Sequence, residues 1–164
     1  MSCPEKTLAE QAVELLIARR FHISCAESCT GGLLTAGLVD VPNASQVLEA
    51  SIVTYANWAK TRYAAVPEDV LARCGAVSEE VALAMAQGVA QTNQAEVGVG
   101  VSGVAGPGGG TAEKPVGMVC FGFFIQGRGY AFTRKWPGLT RNQVRENSVK
   151  FALEKLIELL FGEE

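Results

Sequence analysis

One short run, Ala26-Glu27-Ser28-Cys29-Thr30-Gly31-Gly32, carries most of the chemistry this sequence could perform. A hydroxyl placed where a strand turns into a helix is exposed at a sheet edge, and the backbone N–H groups that follow meet it at the positive end of the helix dipole. Such a turn can hold an oxyanion or a phosphate. Glycines are poor helix formers, so Gly31 and Gly32 at this place point to something approaching the backbone closely. On these residues alone a capping role for Ser28 or Thr30 outweighs a nucleophilic one, and both stay open.

A serine nucleophile needs a base, and the chain has a single histidine, His22. Metal sites built on several imidazoles are excluded, and unless His22 serves, the base comes from Lys, Tyr, Asp or Glu. His22 stands in a strand lead-in before Ser28, where a structural role is expected. Among the lysines, Lys60 occupies the short, fairly apolar segment Asn57-Trp58-Ala59-Lys60. Burial, or a positive neighbour such as Arg62, would lower its pKa and make a neutral amine available. Against this, a lysine beside tryptophan more often lays its stem on the ring and keeps its charge in water. Arg141 and Arg145, one helical turn apart, could clamp a phosphate, although such pairs are more often solvated. The loop Ser102-Gly103-Val104-Ala105-Gly106-Pro107-Gly108-Gly109-Gly110 leaves a strand end and could wrap a ligand with backbone amides or simply be a surface loop.

Two glycine patterns are decoys. Gly98-Val99-Gly100-Val101-Ser102-Gly103 has the spacing of a dinucleotide-binding turn, but its glycines lie inside an expected strand rather than in the turn after it. Close packing of that strand is the better reading. The glycines from 103 to 110 lack the following Lys-Ser or Lys-Thr of a phosphate-binding P-loop.

The elements that position these groups follow from periodicity. A helix is expected from Glu5 to Arg20, with Pro4 in its first turn, and a strand from His22 to Glu27. A helix from Thr30 to Asp40 and a strand from Ala50 to Tyr55 come next. Further helices are expected from Asn57 to Ala64, from Pro67 to Arg73, and from the capping Ser78 to about Thr92. Val97 to Ser102 reads as a strand, Val116 to Ile125 and Tyr130 to Trp136 as a strand pair, and Thr140 to Phe161 as a closing helix. No linker, repeat or low-complexity tract interrupts them, which gives one α/β domain over residues 1–164, a mixed β-sheet flanked by helices.

Composition narrows the function. The 164 residues are 48% hydrophobic and 19% charged, enough for one buried core. With 14 Lys plus Arg against 17 Asp plus Glu, the net charge of −3 gives no surface for nucleic acid. No stretch reaches a membrane span and no signal segment opens the chain, so a cytoplasmic location is expected. The five cysteines, Cys3, Cys25, Cys29, Cys74 and Cys120, show no metal-ligand spacing and read as reduced, mostly buried small hydrophobes. Asn43-Ala44-Ser45 would matter as a glycosylation acceptor only in a secreted protein.

Taken together, several segments resemble one family. They are Ala-Glu-Ser-Cys-Thr-Gly-Gly at 26 to 32, Val-Thr-Tyr-Ala-Asn followed by Lys60, Gly-Ala-Val-Ser-Glu at 75 to 79, and Ser-Gly-Val-Ala-Gly-Pro-Gly-Gly-Gly at 102 to 110 with Glu-Lys-Pro-Val-Gly at 113 to 117. In this order, over about residues 6 to 160, the chain resembles the CinA C-terminal domain family, also called nicotinamide mononucleotide amidohydrolases. The resemblance implies hydrolysis of the carboxamide of nicotinamide mononucleotide to nicotinate mononucleotide and ammonia, in pyridine-nucleotide salvage. By that analogy Ser28 is the nucleophile, Lys60 the general base and Tyr55 an assistant, with no metal and no cofactor. Thr30, Gly31, Gly32, Ser102, Gly103, Ala105, Gly106 and Arg141 would be substrate contacts.

Many members of that family carry a further N-terminal domain resembling molybdopterin-binding proteins, so a pyrophosphatase activity tied to that domain is not expected of this sequence. Trp58 stands where the family pattern is usually smaller or polar, and it would either reshape the pocket or sit at a subunit contact. Exposed apolar residues such as Trp58 lead to the expectation of a homo-oligomer. A rival reading from another class is a non-catalytic nucleotide-binding or regulatory module linked to competence or DNA damage, which would have no use for Ser28 and Lys60. A deamidase for another amide would keep the same dependence on Ser28.

Overall fold

The structure, a computed structural model, describes residues 5–162. Buried runs of small and apolar residues make the internal strands β1 (Ile23–Glu27) and β3 (Val97–Gly103), which lie parallel side by side. Strands covered by helices on both faces need this continuous burial rather than an alternating pattern. Parallel to β1 on its other side lies β2 (Leu48–Val53). The hairpin β4 (Met118–Ile125) and β5 (Arg128–Lys135) adds antiparallel beyond β3, for the order β2-β1-β3-β4-β5.

Helices α1 (Leu8–Arg19), α2 (Leu33–Val39) and α6 (Arg141–Gly162) pack on one another over one layer of the core. The other layer is α5 (Glu79–Thr92), with α3 (Asn57–Ala64) and α4 (Glu68–Cys74) against it. This is the expected α/β architecture, a mixed sheet flanked by helices. From β1 the chain crosses to β2 on one side, then returns through α3, α4 and α5 to β3 on the other. Right-handed crossovers running in opposite directions place their helices on opposite faces, and the crevice where they diverge opens at the carboxyl end of β1. Ser28 stands there.

The glycines of β3 serve packing. A Cβ on Gly98 would lie 1.9 Å from the Ala86 carbonyl oxygen of α5, and one on Gly100 would lie 2.2 Å from that of Ala82. Without side chains there, the helix backbone rests directly on the strand, which also explains the small residues Ala82, Ala86 and Ala90 along α5.

Several boundaries differ from the sequence expectation. Helix α1 starts at Leu8 because Thr7 caps it: the Thr7 hydroxyl accepts from the Glu10 N–H and the Glu10 carboxylate accepts from the Thr7 N–H, a reciprocal capping box. Pro4, expected in the first turn, and Cys3 lie outside the described residues. Helix α2 starts at Leu33 rather than Thr30, because Gly31 and Gly32 hold φ values of +57° and +101° in the left-handed region. Strand β2 begins at Leu48 and ends at Val53, with a 3₁₀ turn at Ala44–Gln46 before it that no sequence signal announced. Ser78 caps α5 as expected, its hydroxyl accepting from the Val81 N–H. Among the described residues no helix is long and apolar enough to cross a membrane. Cys25, Cys29, Cys74 and Cys120 are free, and all but Cys74 are buried.

Candidate active site

Glu27 ends β1 and turns its carboxylate onto the start of α2. It accepts from the N–H groups of Leu34 (3.0 Å) and Thr35 (3.1 Å) and from the Thr35 hydroxyl (2.6 Å). A carboxylate at the positive end of a helix is stabilised there by both dipole and hydrogen bonds. The first turn of α2 is therefore occupied by the protein's own anion. Of the groups expected to hold an oxyanion or a phosphate, this leaves the N–H groups of the turn that directly follows Ser28.

Ser28 is next in the chain. Its N–H donates to the Val101 carbonyl of β3 (2.9 Å) and its carbonyl accepts from the Gly31 N–H (3.0 Å), so the nucleophile candidate sits in a tight turn tied to a neighbouring strand. It lies at the end of an internal strand and is 8% exposed, not at a sheet edge as expected. Among the described residues the N–H of Thr30 makes no hydrogen bond, and that of Cys29 meets only its own sulfur.

Lys60 reaches the same point from α3. Its Nζ donates to Ser28 Oγ at 3.0 Å, to the Thr54 carbonyl at 2.7 Å and to the Tyr55 carbonyl at 3.3 Å. The side chain is 1% exposed, and no carboxylate among the described residues lies within ion-pair distance of it. Burial without a counter-charge disfavours the ammonium and holds the Lys60 pKa below its ordinary value. The Cys29 sulfur acts in the opposite direction when ionised, but burial pushes that thiol up to about 11, so at neutral pH it carries no charge. Desolvation acts here without the positive neighbour that the sequence left open, since Arg62 is exposed on the outer side of α3.

Ser28 and Lys60 open into a cavity of about 210 Å³ whose wall includes Cys29, Tyr55, Asn57 and Arg141. Gly103 and Ala105 line it from the end of β3, and Ala76 and Val77 from the segment before α5. That segment is strapped down: Ser102 Oγ donates to the Ala76 carbonyl (2.7 Å), Ser78 Oγ to the Gly75 carbonyl (2.8 Å), and Lys114 Nζ to the Cys74 carbonyl. Ser102, expected to touch substrate, also lines the cavity, with its hydroxyl proton given to the Ala76 carbonyl.

Arg141, at the start of α6, stands at the rim. Its guanidinium donates to the Gly106 carbonyl (2.7 Å) and to the Tyr55 hydroxyl (3.0 Å). Arg145 faces elsewhere, donating from Nε to the Cys29 carbonyl and from Nη2 to the Thr30 carbonyl, both at 3.0 Å. The two arginines therefore do not form one phosphate clamp. Gly106 faces the site only as the acceptor for Arg141, and Thr30, Gly31 and Gly32 lie outside the cavity wall, the Thr30 hydroxyl being buried without a partner.

Three other features lie away from this centre. His22 is at the opposite end of β1, where its Nδ1 lies 3.0 Å from the Glu96 carboxylate, which also accepts from the His22 N–H. Trp58 is 65% exposed, edge-on to Tyr63 at 5.9 Å, and does not line the cavity. It lines a larger concavity of about 870 Å³ between α3 and α4, with Arg62 and Leu71, where no serine or cysteine stands. Among the described residues no group of three or more His, Cys, Asp or Glu side chains is placed to hold a metal.

Sequence reasoning missed Glu27, Asn57, Ala76 and Val77. Glu27 had a usable signal, a carboxylate directly after a buried strand and before a helix opening in two glycines. Ala76 and Val77 stand in the Gly-Ala-Val-Ser-Glu segment that carried the resemblance, but their place at the cavity depends on the strap from Ser102.

The site lies wholly within the part of the chain, residues 5–160, that matches the family profile described as the CinA C-terminal domain. The chain belongs to the CinA C-terminal domain family. It is 47% identical over 150 residues to a CinA-like protein of Desulforapulum autotrophicum, a match covering 92% of this chain and 35% of that protein. The crystal structure of the competence/damage inducible protein CihA from Agrobacterium tumefaciens is similar at a TM-score of 0.89 and 37% identity, covering 97% of this chain and 99% of that one. The competence damage-inducible protein A of Klebsiella pneumoniae is similar at a TM-score of 0.91 and 32% identity, covering 96% and 97%. This CinA domain spans 30–39% of the length of the curated relatives it matches. The whole mixed sheet and its helical layers are thus shared with CinA superfamily structures.

Proposed function

We propose that this CinA domain hydrolyses the carboxamide of nicotinamide mononucleotide to nicotinate mononucleotide and ammonia, with Ser28 as nucleophile and Lys60 as general base. The observation that carries the reading is the buried Lys60 amine, without an ion-pair partner, 3.0 Å from Ser28 Oγ. In its neutral form the amine keeps two N–H bonds, to the Thr54 and Tyr55 carbonyls, and turns its lone pair to the Ser28 hydroxyl. The carbonyls accept in either protonation state, and it is burial without a counter-charge that favours the neutral base over the ammonium.

In this scheme Ser28 Oγ adds to the amide carbon while its proton passes to Lys60. The oxyanion of the tetrahedral intermediate is stabilised by the N–H groups of the turn, chiefly the unpaired one of Thr30. The Lys60 ammonium returns the proton to the leaving nitrogen, ammonia departs, and an ester on Ser28 remains. Water then adds to the ester with Lys60 again as base, giving the carboxylate and free Ser28. Arg141 at the rim offers a cation to an anionic nucleotide, and Tyr55 orients that cation through its hydroxyl.

Ammonia release from nicotinamide mononucleotide, measured on the wild type and on Ser28→Ala, tests the reading. Release by the wild type alone is the expected result. Ser28-dependent release from a different amide only would replace the substrate, and nucleotide binding without any release would favour a regulatory module.

A further inference from the structure

We infer that Arg145 is a positioning residue that sets up the oxyanion site, an inference that rests on the Ser28 reading above. Its guanidinium grips two successive peptide units of the turn, through Nε to the Cys29 carbonyl and Nη2 to the Thr30 carbonyl, each at 3.0 Å. In a trans peptide the N–H points opposite to the C=O. Holding the Cys29 carbonyl toward α6 therefore turns the Thr30 N–H away from α6, and this N–H has no acceptor among the described residues. The N–H of Ser28 itself is taken by Val101, that of Gly31 by Ser28, and that of Cys29 meets its own sulfur, which leaves Thr30 as the free donor near Ser28.

The ends of the turn are tied by Ser28 N–H to Val101, Gly31 N–H to Ser28 and Leu33 N–H to the Thr30 carbonyl, whereas among the described residues the Cys29 carbonyl accepts from Arg145 alone. Gly31 and Gly32 follow in the left-handed region, where glycine is flexible, and the N-terminus of α2 is engaged by Glu27. The Arg145 side chain is itself fixed, its Nη1 donating to Asn142 Oδ1 at 3.1 Å. A charged donor on the Cys29 carbonyl also polarises that peptide and makes the Thr30 N–H a stronger donor. Arg145 lies behind the turn and outside the cavity wall, so it acts on the reaction through the backbone rather than by touching substrate.

An alkyl fluorophosphonate probe reads this without depending on the natural substrate. Ser28 Oγ forms a bond to phosphorus, fluoride leaves, the serine proton passes to Lys60, and the phosphoryl oxygen gathers charge where the oxyanion would sit. Arg145→Ala should label roughly ten- to a hundredfold more slowly than wild type, somewhat less than the loss of a whole oxyanion donor. With nicotinamide mononucleotide the loss should fall on kcat while KM stays within about twofold, a split that general loosening of the fold would not give. Arg145→Lys, which retains the charge but cannot bridge both carbonyls, should fall between, and it serves if the alanine variant fails to fold. Added guanidinium ion should restore labelling of Arg145→Ala in part. Wild-type labelling at Ser28 that either folded variant matches in rate overturns the role of Arg145 and leaves the Ser28 reading intact. A wild type that neither labels at Ser28 nor releases ammonia overturns both.

Discussion

Replacing Lys60 by Met separates its chemistry from its packing. The two side chains are similar in length, and the site is 1% exposed, so Met fills the space while the amine disappears. Loss of a general base costs roughly a hundred- to ten-thousandfold in rate, about 2.7 to 5.5 kcal/mol of transition-state stabilisation. On stability two effects oppose each other. The carbonyls of Thr54 and Tyr55 lose their donor, at roughly 1 kcal/mol each, while the penalty for a buried ammonium disappears. That penalty depends on pH in a definite direction. The folded pKa of Lys60 lies below its ordinary value, so between the two the unfolded chain binds more protons and wild-type stability rises with pH, by at most about 1.4 kcal/mol per unit. Below the folded pKa the penalty is fully present, and above the unfolded value it is gone. Thermal melts of both proteins from pH 6 to 10 should therefore show the wild type gaining on Lys60→Met as pH rises. The rate constant kcat/KM of the wild type should rise along a limb set by the same group. Turnover by Lys60→Met within tenfold of wild type would refute the base assignment, and a stability difference flat across that range would refute the desolvated amine.

Ser28→Ala should fold as the wild type does, with an unchanged melting temperature, and release no measurable ammonia; a residual tenth of the wild-type rate would end the nucleophile assignment. Arg141→Ala should raise KM for a phosphorylated substrate roughly ten- to a hundredfold with kcat little changed, the scale of a charged hydrogen bond; equal loss with the dephosphorylated nucleoside would show that Arg141 does not read the phosphate. Gly98→Ala must separate α5 from β3 against a 1.9 Å contact with backbone, so about 3 kcal/mol or more and a fall of roughly 6 to 12 °C in Tm are expected, whereas Gly108→Ala, with nothing within 4 Å, should leave Tm almost unchanged. Equal melting of the two variants would show that the glycines of β3 are not there for packing.

What the sequence made legible follows the range of the physical effect. Strand and helix identities, the Ser78 cap and the packing role of Gly98 and Gly100 rest on local periodicity and could be read directly. The start of α2 was misplaced because a helix was extended through Gly31 and Gly32, where the backbone takes the left-handed turn that glycine permits. Arg141 and Arg145 were paired because one helical turn separates them, yet their forks bind different segments, a loop carbonyl and the nucleophile turn. Spacing on a helix gives a shared face, not a shared partner. Asn57, Ala76 and Val77 lie in two of the segments that carried the resemblance, but their entry into the cavity depends on strand order and the Ser102 strap, which local spacing does not show.

The same geometry explains why Ser28 and Lys60 can face each other at all. They are 32 residues apart, each beyond the end of a strand, and the two strands must first pair in parallel. The Thr54 N–H donates to the Glu27 carbonyl at 2.8 Å, continuing the β1–β2 ladder one step past the end of β2 and setting the two chain exits side by side. The β1 exit turns into the Ser28 loop and the β2 exit into α3, so the ladder itself fixes the separation of the Ser28 hydroxyl and the Lys60 amine. From β3 the Val101 carbonyl holds the Ser28 N–H, and from α6 Arg145 holds the following carbonyls. Four elements distant in sequence thus meet on one turn. No fragment lacking β2, β3 or α6 retains the arrangement, and the buried amine, which opposes folding while protonated, is held in place by the packing of all of them together.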